Sequence, residues 1–252
     1  MKRIVLLLAS ALFIVFSCSK PADNNKKDDG KTPEENPQDQ TPEDQPTVSS
    51  ITIDGKFDDW ASLEGAVTAK NASASQWDAV KELRVYAADH FVYYYIRFDK
   101  ETITELLNAN DELPARLNLN TDGEFESGYG SYFLQAYDFI IELPLGDGAG
   151  GWGEASDGTL YQRIDGDWKD LLGGNSGLTY GFGSGYEFEI CLDRDIFNKA
   201  ANQSPVPMPM GDTFQTSMRF YETTSTGKWE ELSNIPNSDD GYGNLLEVTF
   251  VK

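Results

Sequence analysis

The sequence predicts an all-β fold: an antiparallel β-sandwich of jelly-roll or immunoglobulin-like two-sheet architecture, with long Gly-rich loops and one or two short helices. Three observations predict it. Short segments of alternating apolar and polar residues recur along the chain. Sixteen of its 23 glycines fall between positions 123 and 185, where they break the pattern into connections. Helical periodicity is confined to residues 101–108 and 194–200, about two turns each.

The elements follow in chain order. Ile51-Thr-Ile is short and β-branched, a strand signal. Residues 82–98 read as a hairpin: Leu83-Arg-Val-Tyr, a turn at Ala88-Asp-His90, then Val92-Tyr-Tyr-Tyr-Ile-Arg-Phe98. Arg116-Leu-Asn-Leu-Asn120 and Tyr137-Asp-Phe-Ile-Ile-Glu-Leu143 alternate, as do residues 186–192, 213–221 and 245–251. The Gly-rich region is either a set of long loops or a Gly-rich hairpin. It also carries Trp152, Tyr161, Trp168 and Tyr180. Long ordered loops on a sandwich are where binding sites usually sit.

Composition narrows the function. Lys and Arg number 20 against 42 Asp and Glu, a net charge of −22. Phosphate backbones and anionic membrane surfaces are bound mainly through Lys and Arg, so nucleic acid and direct membrane-surface binding are disfavoured. A single histidine, His90, removes most His-based metal sites and Ser/His or Cys/His catalysis. Haem ligation would fall to His90, Met208, Met210 and Met218, and His90 reads as turn chemistry. Carboxylates are plentiful, but no motif singles out an acid and a nucleophile for glycoside hydrolysis, and no serine elbow, phosphate loop or zinc-protease motif occurs. No enzyme is expected.

The chain divides into three parts: 1–17, 18–49 and 50–252. Lys2 and Arg3 precede an apolar run at residues 4–16, too short to span a bilayer and suited to a signal peptide. Val15-Phe-Ser-Cys18 resembles a bacterial lipoprotein signal, although Phe16 is larger than the usual residue there. The resemblance implies cleavage before Cys18, lipidation of Cys18, and attachment to the outer membrane through acyl chains. The only other cysteine, Cys191, reads as a packed strand residue. Residues 21–47 hold five Pro, eight Asp or Glu and one apolar residue, so this part is expected to be a disordered tether spanning roughly 30 Å. Asp23, Asp28 and Asp29 loosely fit a signal for export to the cell surface. The third part carries a net charge of −20, so the acidity belongs to the domain.

Ile51-Thr-Ile-Asp-Gly-Lys-Phe-Asp-Asp-Trp60 resembles the opening of a family 9 carbohydrate-binding module and its wider DOMON-like relatives. Two further elements follow in the family's order. They are Leu117-Asn-Leu-Asn-Thr-Asp-Gly123 with Gly128-Tyr129 and Tyr137-Asp-Phe-Ile-Ile-Glu142, and then Tyr186-Glu-Phe-Glu-Ile-Cys-Leu192, with Cys191 where proline is usual. The resemblance implies the sandwich. It matches no ligand-bearing loop, so no sugar specificity is carried over.

Asn118, Asn120 and Asp122 are spaced like the first half of a calcium loop, with Asp138 as a further ligand, and structural calcium is known in the family it resembles. The other use of those residues is to cap their own turn. Asp165-Gly-Asp-Trp-Lys-Asp170 reads as a hairpin turn with solvated charges. Trp60 and Trp77 read as structural. Trp152, Tyr161, Trp168, Trp229 and Tyr242 are the candidate sugar platforms, because pyranose C–H faces pack on aromatic rings while carboxylates and amides take the hydroxyls. The expected function is glycan capture by a surface lipoprotein of a polysaccharide-using bacterium. The alternative is an accessory lipoprotein that binds another protein in a cell-surface complex. A flat apolar cluster would favour a protein partner, and an aromatic strip edged by carboxylates a sugar.

Overall fold

A computed structural model describes residues 51–70, 79–110, 112–124, 128–129, 136–146, 154–155, 157–236 and 245–252. The signal segment 1–17, Cys18, the tether 18–49, Trp77, Trp152 and Tyr242 lie outside the described residues.

The domain is an all-β sandwich of two antiparallel sheets. One sheet contains β1 (Val67–Lys70), β2 (Val80–Ala88), β3 (Phe91–Phe98), β6 (Glu154–Ala155), β9 (Thr179–Ser184) and β10 (Glu187–Asp193) in the order β1-β2-β3-β10-β9-β6. The other contains β4 (Leu113–Asn120), β5 (Phe139–Leu145), β7 (Thr159–Ile164), β8 (Asp167–Leu172), β11 (Thr213–Thr223) and β12 (Trp229–Ile235) in the order β12-β11-β4-β5-β7-β8. There β13 (Leu246–Thr249) also pairs with the first residues of β11. Two helices, α1 (Lys100–Asn110) and α2 (Arg194–Gln203), insert Ile103, Leu107, Phe197 and Ala201 into the core.

Alternation sets the faces. In β4, Leu113, Ala115, Leu117 and Leu119 enter the core, as do Phe139, Ile141 and Leu143 of β5. They meet Val85, Tyr94, Ile96 and Phe188 of the facing sheet, and Phe98 packs edge-on against Phe220 at 5.3 Å. Residues between them in sequence necessarily point outward. Asp193 caps α2 by accepting from the amides of Asp195 and Ile196, which fixes the β10–α2 junction.

The 82–98 hairpin, both helices and the strands at 113–120, 139–145, 187–193 and 213–223 match the sequence pattern. Three differences are informative. Ile51-Thr-Ile forms no strand; Ile51 instead packs in a second apolar cluster with Trp60, Tyr86, Tyr93, Tyr95 and Cys191. Residues 51–66 thereby cover the outer face of the first sheet at β2, β3 and β10 around that cluster. The Gly-rich region proves to hold strands as well as turns. Asp165 and Gly166 both have positive φ, 52° and 85°, and close β7 onto β8 as a two-residue hairpin. Gly181 lies within β9, where a Cβ would come 2.7 Å from the Phe188 ring and 3.0 Å from the Glu189 carbonyl oxygen. Glycine there admits a close approach. Strand β12, whose residues mostly do not alternate clearly in sequence, is held by its register with β11.

Candidate functional site

The outward side chains of the second sheet form a diagonal band of rings and guanidinium groups. At one end lie Tyr129 and Tyr137, whose backbones exchange hydrogen bonds in an isolated bridge, and Trp168 at the start of β8. Their ring centroids are 5.4 Å (Tyr129–Tyr137), 5.8 Å (Tyr129–Trp168) and 6.1 Å (Tyr137–Trp168, stacked) apart. Arg163 of β7 pairs in register with Trp168, and its guanidinium lies 5.4 Å from the Tyr129 ring and 5.6 Å from the Trp168 ring. These are cation–π distances.

Arg219 of β11 continues the band, 5.8 Å from the Tyr137 ring and 3.2 Å from Glu231 of β12. Next comes Arg116 of β4, register partner of both Arg219 and Glu142. Its Nη2 is 2.6 Å from Glu142, and its guanidinium lies 4.9 Å from the Tyr221 ring and 5.4 Å from the Trp229 ring. Tyr221 and Trp229 are 5.6 Å apart. Five strand-to-strand steps separate β12 from β8, so the band crosses roughly 24 Å of sheet.

The rings differ in what they offer. Tyr129 and Trp229 are exposed at 44% and 41%, Trp168 is half-buried, and Tyr137 and Tyr221 are buried. Burial pushes the Tyr137 phenol above its ordinary value, partly countered by Arg219, so it stays a neutral donor. Tyr161 is half-buried on β7 between Ile140 and Asp170, its phenol raised by burial and by Glu142. Glu142 and Glu231 are held in fixed orientations by Arg116 and Arg219. The face therefore presents aromatic surface with hydrogen-bonding groups set between the rings.

Of the candidate platforms, the fold brings Trp168, Tyr161 and Trp229 onto one sheet face rather than onto the loops at its end. The sequence reading missed Tyr129, Tyr137, Tyr221, Arg116, Arg163, Arg219 and Glu142 as members. A signal existed for Arg116: a charge between the core residues Ala115 and Leu117 must point outward.

Asn120, Asp122 and Asp138 gather about the turn after β4. Asn120 Oδ1 accepts from the Gly123 amide, Asp122 Oδ1 from the Glu124 amide and Asp138 Oδ2 from the Thr121 amide. The turn thus uses an oxygen of each on its own backbone. Asn118 sits one outward position earlier on β4. Its amide donates to Ser217 Oγ, and its buried Oδ1 has no partner. Burial, with Asp122 nearby, pushes Asp138 up to about 6. Among the described residues no group of three or more His, Cys, Asp or Glu is placed to hold a metal ion.

Elsewhere, His90 pairs with Asp195 at 3.0 Å in the exposed β2–β3 turn, while Met210 and Met218 are core residues. Trp60 is 1% exposed, and its Nε1 donates to Glu189. No protein-family model matches the chain, and no match to it was found among curated proteins.

Proposed function

We propose that this protein is a non-catalytic glycan-binding surface lipoprotein that captures poly- or oligosaccharide on the outer face of its second sheet. One observation carries the reading: exposed rings at both ends of a band whose middle is lined by ion-paired arginines and carboxylates. Sugar C–H faces pack on Tyr129, Trp168 and Trp229, and hydroxyls bond Glu142, Glu231, Tyr161 and the arginines. Binding rather than turnover suits carboxylates that are already clamped by guanidinium groups. Lipidation at Cys18 would hold the domain at the outer membrane, and calcium at Asn118, Asn120, Asp122 and Asp138 would brace the turn beside the band.

Affinity electrophoresis of the purified protein through gels containing plant, host or microbial polysaccharides, with calcium present, tests this. Retardation by one glycan class is expected, and absence of retardation by all of them overturns it. The second reading, an accessory protein-binding lipoprotein, draws on the same Trp, Tyr and Arg content, since those residues carry most protein–protein hot spots. A specific partner recovered from the cell surface, together with no glycan binding, would favour it.

A further inference from the structure

Arg163 differs from every other arginine in the described residues. Arg84 and Arg97 pair with Glu82, Arg116 with Glu142, Arg194 with Asp212 and Arg219 with Glu231. Among the described residues Arg163 has no carboxylate within ion-pair distance, in a domain whose acidic residues far outnumber its basic ones. It is half-buried and held over Tyr129 and Trp168. Neither ring offers it a charged acceptor, and a guanidinium fork fits a carboxylate in two parallel hydrogen bonds.

A neutral sugar needs no such group. Ring stacking and hydroxyl hydrogen bonds are already supplied by Trp168, Tyr129, Tyr161 and the clamped carboxylates. An unmatched, ring-mounted guanidinium beside the most exposed ring of the band adds a demand for negative charge on the ligand. Charges more than about 8 Å away are screened at physiological salt, and none of the nearer described carboxylates lies within ion-pair distance of Arg163.

We infer that the captured glycan contains uronic acid, with a sugar ring on Tyr129 and its carboxylate on the N–H edge of Arg163. This rests on the glycan-capture reading and adds the ligand's class to it. Arg163 is then the specificity-determining residue, and Arg116 and Arg219, already occupied by Glu142 and Glu231 respectively on the same face, are not.

The purified protein is run through gels containing polygalacturonate, the same polymer with its carboxyl groups reduced, dextran, or dextran sulfate. Polygalacturonate is expected to retard it, and carboxyl reduction to weaken binding about tenfold or more. Arg163→Gln should bind both galacturonan forms at the weaker level, with an unchanged circular dichroism spectrum. Arg163→Lys, which keeps the charge but loses the fork, should fall between. Equal retardation by the reduced polymer overturns the uronate assignment and leaves glycan capture standing. Retardation by dextran sulfate and not by polygalacturonate overturns it in favour of sulfate. No retardation by any polysaccharide overturns both readings. If Arg163→Gln does not fold, the carboxyl-reduction comparison on the unmodified protein decides alone.

Discussion

Trp60 and Glu189, 129 residues apart, meet beneath the outer surface of the first sheet: the indole Nε1 donates to Glu189 Oε2 at 3.2 Å. The other carboxylate oxygen accepts from the amides of Asp54 and Gly55 at 2.7 and 2.8 Å. One buried side chain of β10 therefore clasps both ends of the Asp54-Gly55…Trp60 motif. Around it Trp60 packs on Tyr95, with ring centroids 5.6 Å apart. Trp60→Phe keeps the ring and leaves Glu189 Oε2 without its donor, an expected loss of about 1–2 kcal/mol. Trp60→Ala also empties the site and should cost about 3–5 kcal/mol. Urea unfolding of both variants checks the order.

The clasp is pH-dependent. Burial pushes Glu189 up to about 7, against the pull of its three donors, and its ordinary value is 4.5. A pKa higher in the folded state means that the folded protein retains a proton the unfolded chain has released. The contribution is complete below the ordinary value and is lost as pH rises through about 7. Asp138, raised from 3.8 to about 6, acts in the same direction over a lower window. Melting temperature should fall between about pH 5 and about pH 7.5, by the equivalent of roughly 2 kcal/mol for Glu189. Glu189→Gln should flatten the upper part of that profile. A wild-type profile that rises over the window would refute the assignment.

Trp168→Ala and Trp229→Ala remove rings from opposite ends of the band. Each is expected to abolish or strongly weaken glycan retardation while leaving the far-ultraviolet circular dichroism intact, since neither ring belongs to the core cluster. Loss of solubility would mark them as structural instead.

Calcium at the turn after β4 would hold Asp138 ionised and stabilise the fold. Titration should raise the melting temperature, EDTA should reverse the rise, and Asp138→Asn should remove the response. A melting temperature indifferent to both calcium and EDTA would discard the site.

Gly181→Ala tests the close approach of β9 to β10. The new methyl group would meet the Phe188 ring at 2.7 Å, so a loss of about 1–3 kcal/mol is expected. An unchanged unfolding midpoint would show that the ring simply moves.

The strands with two-residue alternation were legible one at a time. Leu117 and Leu119, or Phe139 and Ile141, announce a buried face without reference to any neighbour. Strand β9 was not, because Gly181 and Gly183 carry no side chain to show a period, and the reason for glycine at 181, the Phe188 ring beside it, lies on another strand. Trp168 and Trp229 stood out as aromatics in polar surroundings. Their arginine partners did not, because Arg116, Arg163 and Arg219 look alike in sequence and differ only in what lies across the ladder from each.

By itself the sequence determined the two-sheet class, most of the core, and the structural part of Trp60, since those follow from local periodicity and the need to bury apolar surface. Only the tertiary structure decided which outward-facing residues are neighbours. That depends on the strand order β12-β11-β4-β5-β7-β8, which sets residues up to about a hundred positions apart side by side. Alternation dictates that a side chain points outward, whereas long-range pairing dictates what it meets there. Hence residues 51–66 cover the first sheet's outer face around Glu189, and the second sheet's outer face carries the band of rings and arginines.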